Sequence, residues 1–186
     1  MLLEGKLVDL RVMEKEDLPL FAEWVNKPEF LGEYNPLRQM SRAEIEKDYD
    51  KSSLEQTGFI IEKKDGGKIG YICHFILGHP VGKLLEIGYF LVPSERGKGY
   101  GTEALNIMVD YLFLSKDMTR IQAHTELRNI ASQKVLQEAG FKKEGTIRKL
   151  FFNRGEWRDA LLYSILREDW KEPRILTKTT ARSKQQ

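Results

Sequence analysis

The stretch Leu84–Thr102, LLEIGYFLVPSERGKGYGT, decides how the rest of the chain is read. Leu84 to Val92 is an apolar run broken by Pro93, which predicts a strand. Glycines follow at alternate positions, Gly97, Gly99 and Gly101, with Arg96 and Lys98 among them, and a helical pattern begins near Tyr100. Strand, basic glycine turn and helix N-terminus bring unpaired backbone N–H groups to the positive end of a helix dipole, a site for an anion. Glycines allow positive φ and close approach of the backbone to a pyrophosphate. The pattern is neither a P-loop nor G-x-G-x-x-G, because Thr102 stands where the third glycine would be needed. A plain flexible strand-to-helix turn is the competing reading.

Working outward, Ala104, Leu105, Met108, Tyr111 and Leu112 give a helix ending near Ser115, and Arg120–Thr125 a short strand. Asn129 has the look of an N-cap for a helix carrying Ile130, Val135, Leu136 and Ala139, stopped by Gly140. Two strands, Phe141–Phe152 and Trp157–Leu166, flank an Asn153-Arg154-Gly155 turn. On the other side lie a strand over Leu7–Val12, a helix from Glu14–Asp17 to Asn26, and a loop from Lys27 to Met40 with Pro28 and Pro36. Ser41 and Glu44 form a capping-box spacing for a helix to about Leu54. Strands Gly58–Lys63 and Lys68–Leu77 flank Asp65-Gly66-Gly67, and Gly78–Lys83, with Pro80, turns into Leu84. The order β-α-α-β-β-β-α-β-α-β-β predicts one α+β domain, a mostly antiparallel sheet of about seven strands flanked by four helices. The unit from Leu84 to Thr125 is expected to be parallel and right-handed, with its ligand beyond the carboxyl ends of the strands.

At 186 residues, 41% hydrophobic and 31% charged, the chain suits a single soluble domain. It has no apolar run long enough for a membrane helix, and MLLEGKLVDL is too short and charged for a signal peptide. One cysteine, Cys73, allows no internal disulfide, which fits a reducing cytoplasm. The net charge of +2 is uneven: Lys171–Gln186 has five basic residues (Lys171, Arg174, Lys178, Arg182, Lys184) against Glu172, leaving 25 basic and 27 acidic in the body. The expected division is a domain over 1–170 and a basic, flexible tail over 171–186. A nucleic-acid role for that tail is the weaker alternative, because it lacks interleaved aromatics.

Arg96-x-x-Gly99-x-Gly101, with Asn129-x-x-Ser132 and Ala139-Gly140-Phe141 downstream, resembles the GCN5-related N-acetyltransferase family and its [QR]-x-x-G-x-[GA] signature. The ending Phe151-Phe152-Asn153-Arg154-Gly155-Glu156-Trp157-Arg158-Asp159, with Tyr163, is similar to the RimJ/RimL-like branch of ribosomal-protein and polyamine acetyltransferases. The likeness runs from Leu7 to Trp170 and is strongest over Leu84–Phe141. It implies acetyl-CoA as co-substrate, its pyrophosphate on the turn Arg96, Gly97, Lys98, Gly99, Tyr100, Gly101 and Thr102. A V-shaped gap between the fourth and fifth strands would take the pantetheine arm, pairing with backbone near Phe90 and Leu91 and touching Asn129. A backbone N–H on that strand would polarise the acetyl carbonyl. A primary amine, a protein N-terminus or a small molecule, would attack the thioester directly, with no metal. Family members are monomers or homodimers, and both states stay open here.

The ammonium must lose a proton before it can attack, and Glu86, an acid inside the apolar run, is the leading candidate base. A carboxylate on the solvent face of a strand is its alternative. His74 is second choice, against a structural histidine. Family members often place the acid that protonates the thiolate at N-x-x-[AS]-x-x-x-Y, but that position is Leu136 here. Ser132 is the substitute candidate, and it could equally serve only the helix cap, as could Asn129. Tyr34, Phe151, Phe152, Trp157 and Tyr163 either line an acceptor pocket or pack. Cys73 is expected to pack as a small hydrophobe. The missing tyrosine keeps a rival of another class in play, a non-catalytic acyl-CoA-binding module.

Overall fold

The computed structural model describes residues 2–51, 56–79 and 82–176, and its centre is one sheet of eight strands in the order β1-β2-β3-β4-β5-β6-β8-β7. Strands β1 (Leu2–Glu4), β2 (Val8–Val12), β3 (Gln56–Lys63), β4 (Lys68–His79) and β5 (Gly82–Leu91) form an antiparallel run. Strands β6 (Arg120–Glu126), β8 (Glu156–Leu166) and β7 (Lys142–Asn153) form a second antiparallel group. The helices are α1 (Leu18–Asn26), α2 (Pro28–Leu31), α3 (Arg42–Asp50), α4 (Tyr100–Ser115) and α5 (Ile130–Glu138). This is the mixed α/β architecture expected, with two additions to the seven strands and four helices.

Each addition has a local cause that periodicity does not reveal. β1 is three residues long, and Gly5 turns it into β2, its N–H donating to the Val8 carbonyl at 3.0 Å. Glu103, buried in the first turn of α4, then accepts the N–H groups of Lys6, Leu7 and Val8 at 3.0, 2.6 and 2.8 Å. α2 is a single turn inside the expected loop, opened by Pro28 and ended by Gly32 at φ 75°.

Alternation along β5 sorts the interior into two layers. Leu85 and Ile87 join the main core with Ala104, Leu105, Ile107, Met108 and Leu112 of α4 and Leu136 of α5. Phe90 points the other way, into a smaller cluster with Leu18 and Val25 of α1 and Ile45 of α3. α4 and α5 thus cover one face of the sheet, and α1 and α3 the other.

The domain continues past Trp170. Buried Asp110 of α4 accepts the Trp170 indole N–H at 2.7 Å and the backbone N–H groups of Arg174, Ile175 and Leu176 at 2.7–3.1 Å. The first six residues of the expected free tail are therefore tied to the core, since a buried carboxylate needs such donors. Lys178, Arg182 and Lys184, the extension of α3 to Leu54, and Pro80 of the turn lie outside the described residues. No helix among the described residues is long and apolar enough to cross a membrane.

Candidate active site

The turn between β5 and α4 is built from backbone. Gly97 and Gly99 have φ of 74° and 83°, a region that L side chains rarely adopt. A Cβ at Gly97 would meet nothing within 4 Å, so backbone angle and not space selects glycine there. The first helical bond runs from the Glu103 N–H to the Gly99 carbonyl at 3.1 Å, so Tyr100, Gly101 and Thr102 have no helical acceptor for their N–H groups. An anion such as a pyrophosphate fits this open, positive-φ cradle at a helix N-terminus. Gly101 differs from its neighbours: it is helical, and a Cβ there would make ordinary contacts with Leu91 Cδ1 (3.6 Å) and Val135 Cγ2 (3.8 Å).

The polar side chains of the same turn brace the protein. The Arg96 Nε donates to the Leu91 carbonyl at 3.0 Å, and its Nη2 reaches the Phe30 carbonyl of α2. Lys98 pairs with Glu95 at 3.0 Å, and Thr102 Oγ1 donates to Glu138 of α5 at 2.9 Å. What the turn offers an anion is its main chain.

The gap expected between the central strands is present. β5 and β6 are parallel and pair only at Leu85↔Ile121 and Glu86↔Gln122, then diverge. The Val92 N–H bonds to the Ile69 carbonyl of the β4 side, so by alternation the polar groups of Phe90 and Gly88 also turn to β4. A Cβ at Gly70 would lie 2.4 Å from the Phe90 carbonyl oxygen, which agrees. This corrects the expectation for Phe90, whose backbone is spent on the sheet. The Ile87 N–H is spent on β6 by the Glu86↔Gln122 pairing, so the groups turned to the gap are the Ile87 carbonyl and those of Tyr89 and Leu91, and Arg96 already holds the Leu91 carbonyl.

Two clusters flank this strand, one on each face. On the α4–α5 face, the Tyr89 hydroxyl lies 3.1 Å from Ser132 Oγ. Burial pushes the Tyr89 phenol up to about 12, and the hydrogen bond with Ser132 pulls it part of the way back. Asn129 caps α5, its Oδ1 accepting the Ser132 N–H at 3.1 Å. The Ser132 N–H thus serves the cap, while its hydroxyl faces Tyr89. Leu136, at the position where the family often has tyrosine, is fully buried in the core. Tyr89 escaped the sequence reading because it shares the face of Leu85 and Ile87 and scans as core.

On the opposite face, Glu86 Oε2 lies 2.9 Å from His124 Nδ1 and accepts a hydrogen bond from Gln122 Nε2 at 2.9 Å. Farther along β6, buried Glu126 is held by Arg128 at 3.2 Å and faces Arg158 of β8 at 3.8 Å. The Asn153 amide, at the tip of the β7–β8 hairpin, donates to the Glu33 carbonyl at 2.8 Å. The segment from Lys27 to Met40 is thereby fastened to the hairpin, and through Phe30 and Arg96 to the glycine turn. A cavity of about 440 Å³ lies between α1, α3 and the sheet on this side, lined by residues that include Phe21, Met40, Ile45, Tyr49, Tyr71 and Arg38.

Other candidates fall away on position. His74 is fully buried beside Tyr111 in the α4 layer, with neither ring nitrogen hydrogen-bonded, and burial and then Lys116 lower its pKa to about 4. It is the structural histidine. Burial pushes the Cys73 thiol up to about 11, so it packs as expected. Tyr163 is core, while the rings of Phe152 and Trp157 meet edge to face with centroids 5.4 Å apart, exposed, near the hairpin tip.

Comparison with known proteins places this geometry. The profile of the acetyltransferase (GNAT) domain matches residues 8–142. A probable N-acetyltransferase of Bacillus subtilis, YjcK, is 32% identical over 182 residues, covering 90% of this chain and 98% of that protein. Among solved structures, the spermidine N-acetyltransferase of Vibrio cholerae in complex with CoA and spermine superposes with a TM-score of 0.80 at 23% identity, covering 89% of this chain and 99% of that one. The ribosomal-protein-S5-alanine acetyltransferase of Vibrio fischeri does so with a TM-score of 0.77 at 24% identity, covering 92% and 100%. The chain belongs to the GNAT acetyltransferase family and is an acetyl-CoA-dependent N-acetyltransferase that delivers its acetyl group to an amine.

Proposed function

We propose that this enzyme sits in the RimJ/RimL-like branch of the family, acts in the cytoplasm, and acetylates a cationic primary amine on a protein N-terminus or a polyamine. The observation that carries the reading is the strand β5 itself, with Glu86, His124 and Gln122 on one face and Tyr89 and Ser132 on the other, where β5 leaves β6. The amine enters from the Glu86 face, where the carboxylates of Glu86 and Glu126 attract an ammonium and its proton is removed. The acetyl thioester lies along the gap, its carbonyl polarised by the strand N–H of Tyr89. The sulfur leaves toward Tyr89 and Ser132, whose hydroxyls return a proton. The amides of Gly97 to Thr102 hold the pyrophosphate, and the Asn129 amide, already set by its cap bond, meets the pantetheine arm. In the Vibrio cholerae relative CoA and spermine are bound, which supports a polyamine acceptor, and the Vibrio fischeri relative supports a protein one.

The test is release of coenzyme A thiol from acetyl-CoA across a panel of spermidine, an alanine-initiated peptide and an amino-sugar. Amine-dependent thiol release with one class is the expected outcome. Tight acetyl-CoA binding with no amine-dependent release across the panel would favour the acyl-CoA-binding module instead.

A further inference from the structure

The contact between Glu86 and His124 assigns atoms to the first proton transfer. Parallel pairing ends at Glu86↔Gln122, so His124, two residues on along β6, is the next side chain on that face as the strands part. An ionised carboxylate only accepts hydrogen bonds, so at 2.9 Å from Glu86 Oε2 the His124 Nδ1 carries the hydrogen. In the neutral form of such a ring the lone pair is on Nε2, which makes no hydrogen bond among the described residues, and the side chain keeps 14% of its surface open. Glu86 Oε2 is meanwhile occupied twice, by that Nδ1–H and by the Gln122 amide. The ring is in contact with Glu86 of β5; the other charged groups on this side of β6 are Glu126 with its partners Arg128 and Arg158, two residues on, and Arg120 with its partner Glu144 at 2.5 Å, four residues back. Its cross-strand neighbour on β8 is the uncharged Leu162.

We propose that His124 Nε2 takes the proton from the incoming ammonium, and that Glu86 is the positioning residue that fixes the imidazole tautomer and stabilises the imidazolium. This rests on the reading of the Glu86 face as the acceptor side. The logic is that of a carboxylate–imidazole pair, in which the carboxylate orients and the ring nitrogen accepts. The ammonium gives one proton to Nε2, and its freed lone pair attacks the thioester carbon. The C–N bond forms, the C–S bond breaks, and the thiolate takes a proton from the Tyr89 side. The second amine proton, shed as the amide forms, makes good that donation, so one proton is released per turnover. No oxidant, metal or covalent enzyme intermediate enters the balance.

Two measurements on the full-length enzyme test this. The first needs no acceptor: nitrogen-15 NMR of the imidazoles near neutral pH, with His124 assigned from the spectrum of His124→Gln. A ring protonated on Nδ1 in the wild type, and a mixture of tautomers in Glu86→Gln, is expected. A ring protonated on Nε2 would overturn the proposal. The second is the pH dependence of kcat/KM, followed as thiol release with spermidine and with an alanine-initiated peptide. His124→Gln is expected to lower kcat/KM about 10²–10⁴-fold at neutral pH, the range for a lost general base. The deficit should shrink as pH rises toward the acceptor's own deprotonation, with acetyl-CoA affinity unchanged. Loss of turnover in Glu86→Gln with His124→Gln indistinguishable from wild type would overturn the role of His124 and leave the site where it is. Both variants equal to wild type would instead remove the acceptor side from this face.

Discussion

The glycine turn and the gap between β5 and β6 are made in different ways. The turn is a run of consecutive residues that offers main-chain amides from two positive-φ glycines onward, so under the proposed role side-chain identity matters little beyond permitting the backbone angle. The gap is assembled from segments far apart in sequence: Glu86 and Tyr89 of β5, Gln122 and His124 of β6, Ser132 of α5, with Asn153 of the β7–β8 hairpin fastening the loop near Glu33. The first region should break through changes in backbone freedom and the second through loss of single polar atoms, and each should leave the other's property intact.

The largest effect is expected at Gly99. Valine there would force a side chain into φ 83°, and acetyl-CoA affinity measured by calorimetry should fall at least ~100-fold, because the backbone must leave the conformation that aims its amides. Gly101→Ala, which makes only ordinary contacts, should cost less than about fivefold. Equal losses at the two positions would mean that bulk, not φ, governs the turn.

In the gap, Tyr89→Phe removes one hydroxyl and keeps the ring. Turnover should fall about 10–100-fold with little change in acetyl-CoA affinity, the low side of a lost general acid because Ser132 Oγ remains 3.1 Å from where the hydroxyl stood. A matching fall in acetyl-CoA affinity would instead assign Tyr89 to binding. Asn153→Ala should be milder. It cuts the tether to the Glu33 carbonyl, and KM for the acceptor should rise by a few-fold, about 1 kcal/mol, while the acetyl-CoA dissociation constant stays put. An effect confined to acetyl-CoA would show that the tether serves the turn.

The smallest effect on activity, though not on stability, concerns His74. Its folded pKa of about 4 lies below the ordinary value of 6.5, so the unfolded chain binds the proton more readily. Its contribution is fully present above pH 6.5 and is lost as pH falls toward 4, on the order of 3 kcal/mol over that interval. Denaturant unfolding at pH 7, 5.5 and 4.5 should show this decline in the wild type and a flatter course in His74→Leu. A second decline belongs below about pH 4. Burial raises the Asp17 carboxyl, but hydrogen bonds from Arg11, the Glu14 N–H and Lys68 outweigh it and hold the group well below the carboxylate range. Glu144 is brought to about 2 by Arg120 and Ser164. Both contributions are present above the unfolded carboxylate range and are lost as these groups take up protons.

The same contrast explains what could be read from the chain without coordinates. The strand, glycine turn and helix of Leu84–Ser115 are local in sequence, and local spacing is what periodicity and turn chemistry report. The caps at Ser41 and Asn129 were legible for the same reason. Glu86 stood out as a charge in an apolar run, but its partners did not: the parallel direction of β5 and β6 was legible, but nothing in the sequence says that they meet at Leu85↔Ile121 and part just beyond. His124 sits in an ordinary short strand, and only the sheet order makes it Glu86's neighbour. Tyr89 was hidden by its own alternation pattern. The docking of residues 171–176 was hidden too: a basic, apolar-poor end reads as solvated, and the buried Asp110 that holds it lies 60 residues away from Trp170.

The most direct test of the account is a crystal structure with coenzyme A bound. The account places the pyrophosphate on the amides of Gly97 to Thr102 and the thiol sulfur on the α4–α5 side of β5, within about 3.5 Å of the Tyr89 hydroxyl. A sulfur found on the Glu86 side of the strand, or a pyrophosphate held away from the glycine turn, would contradict it.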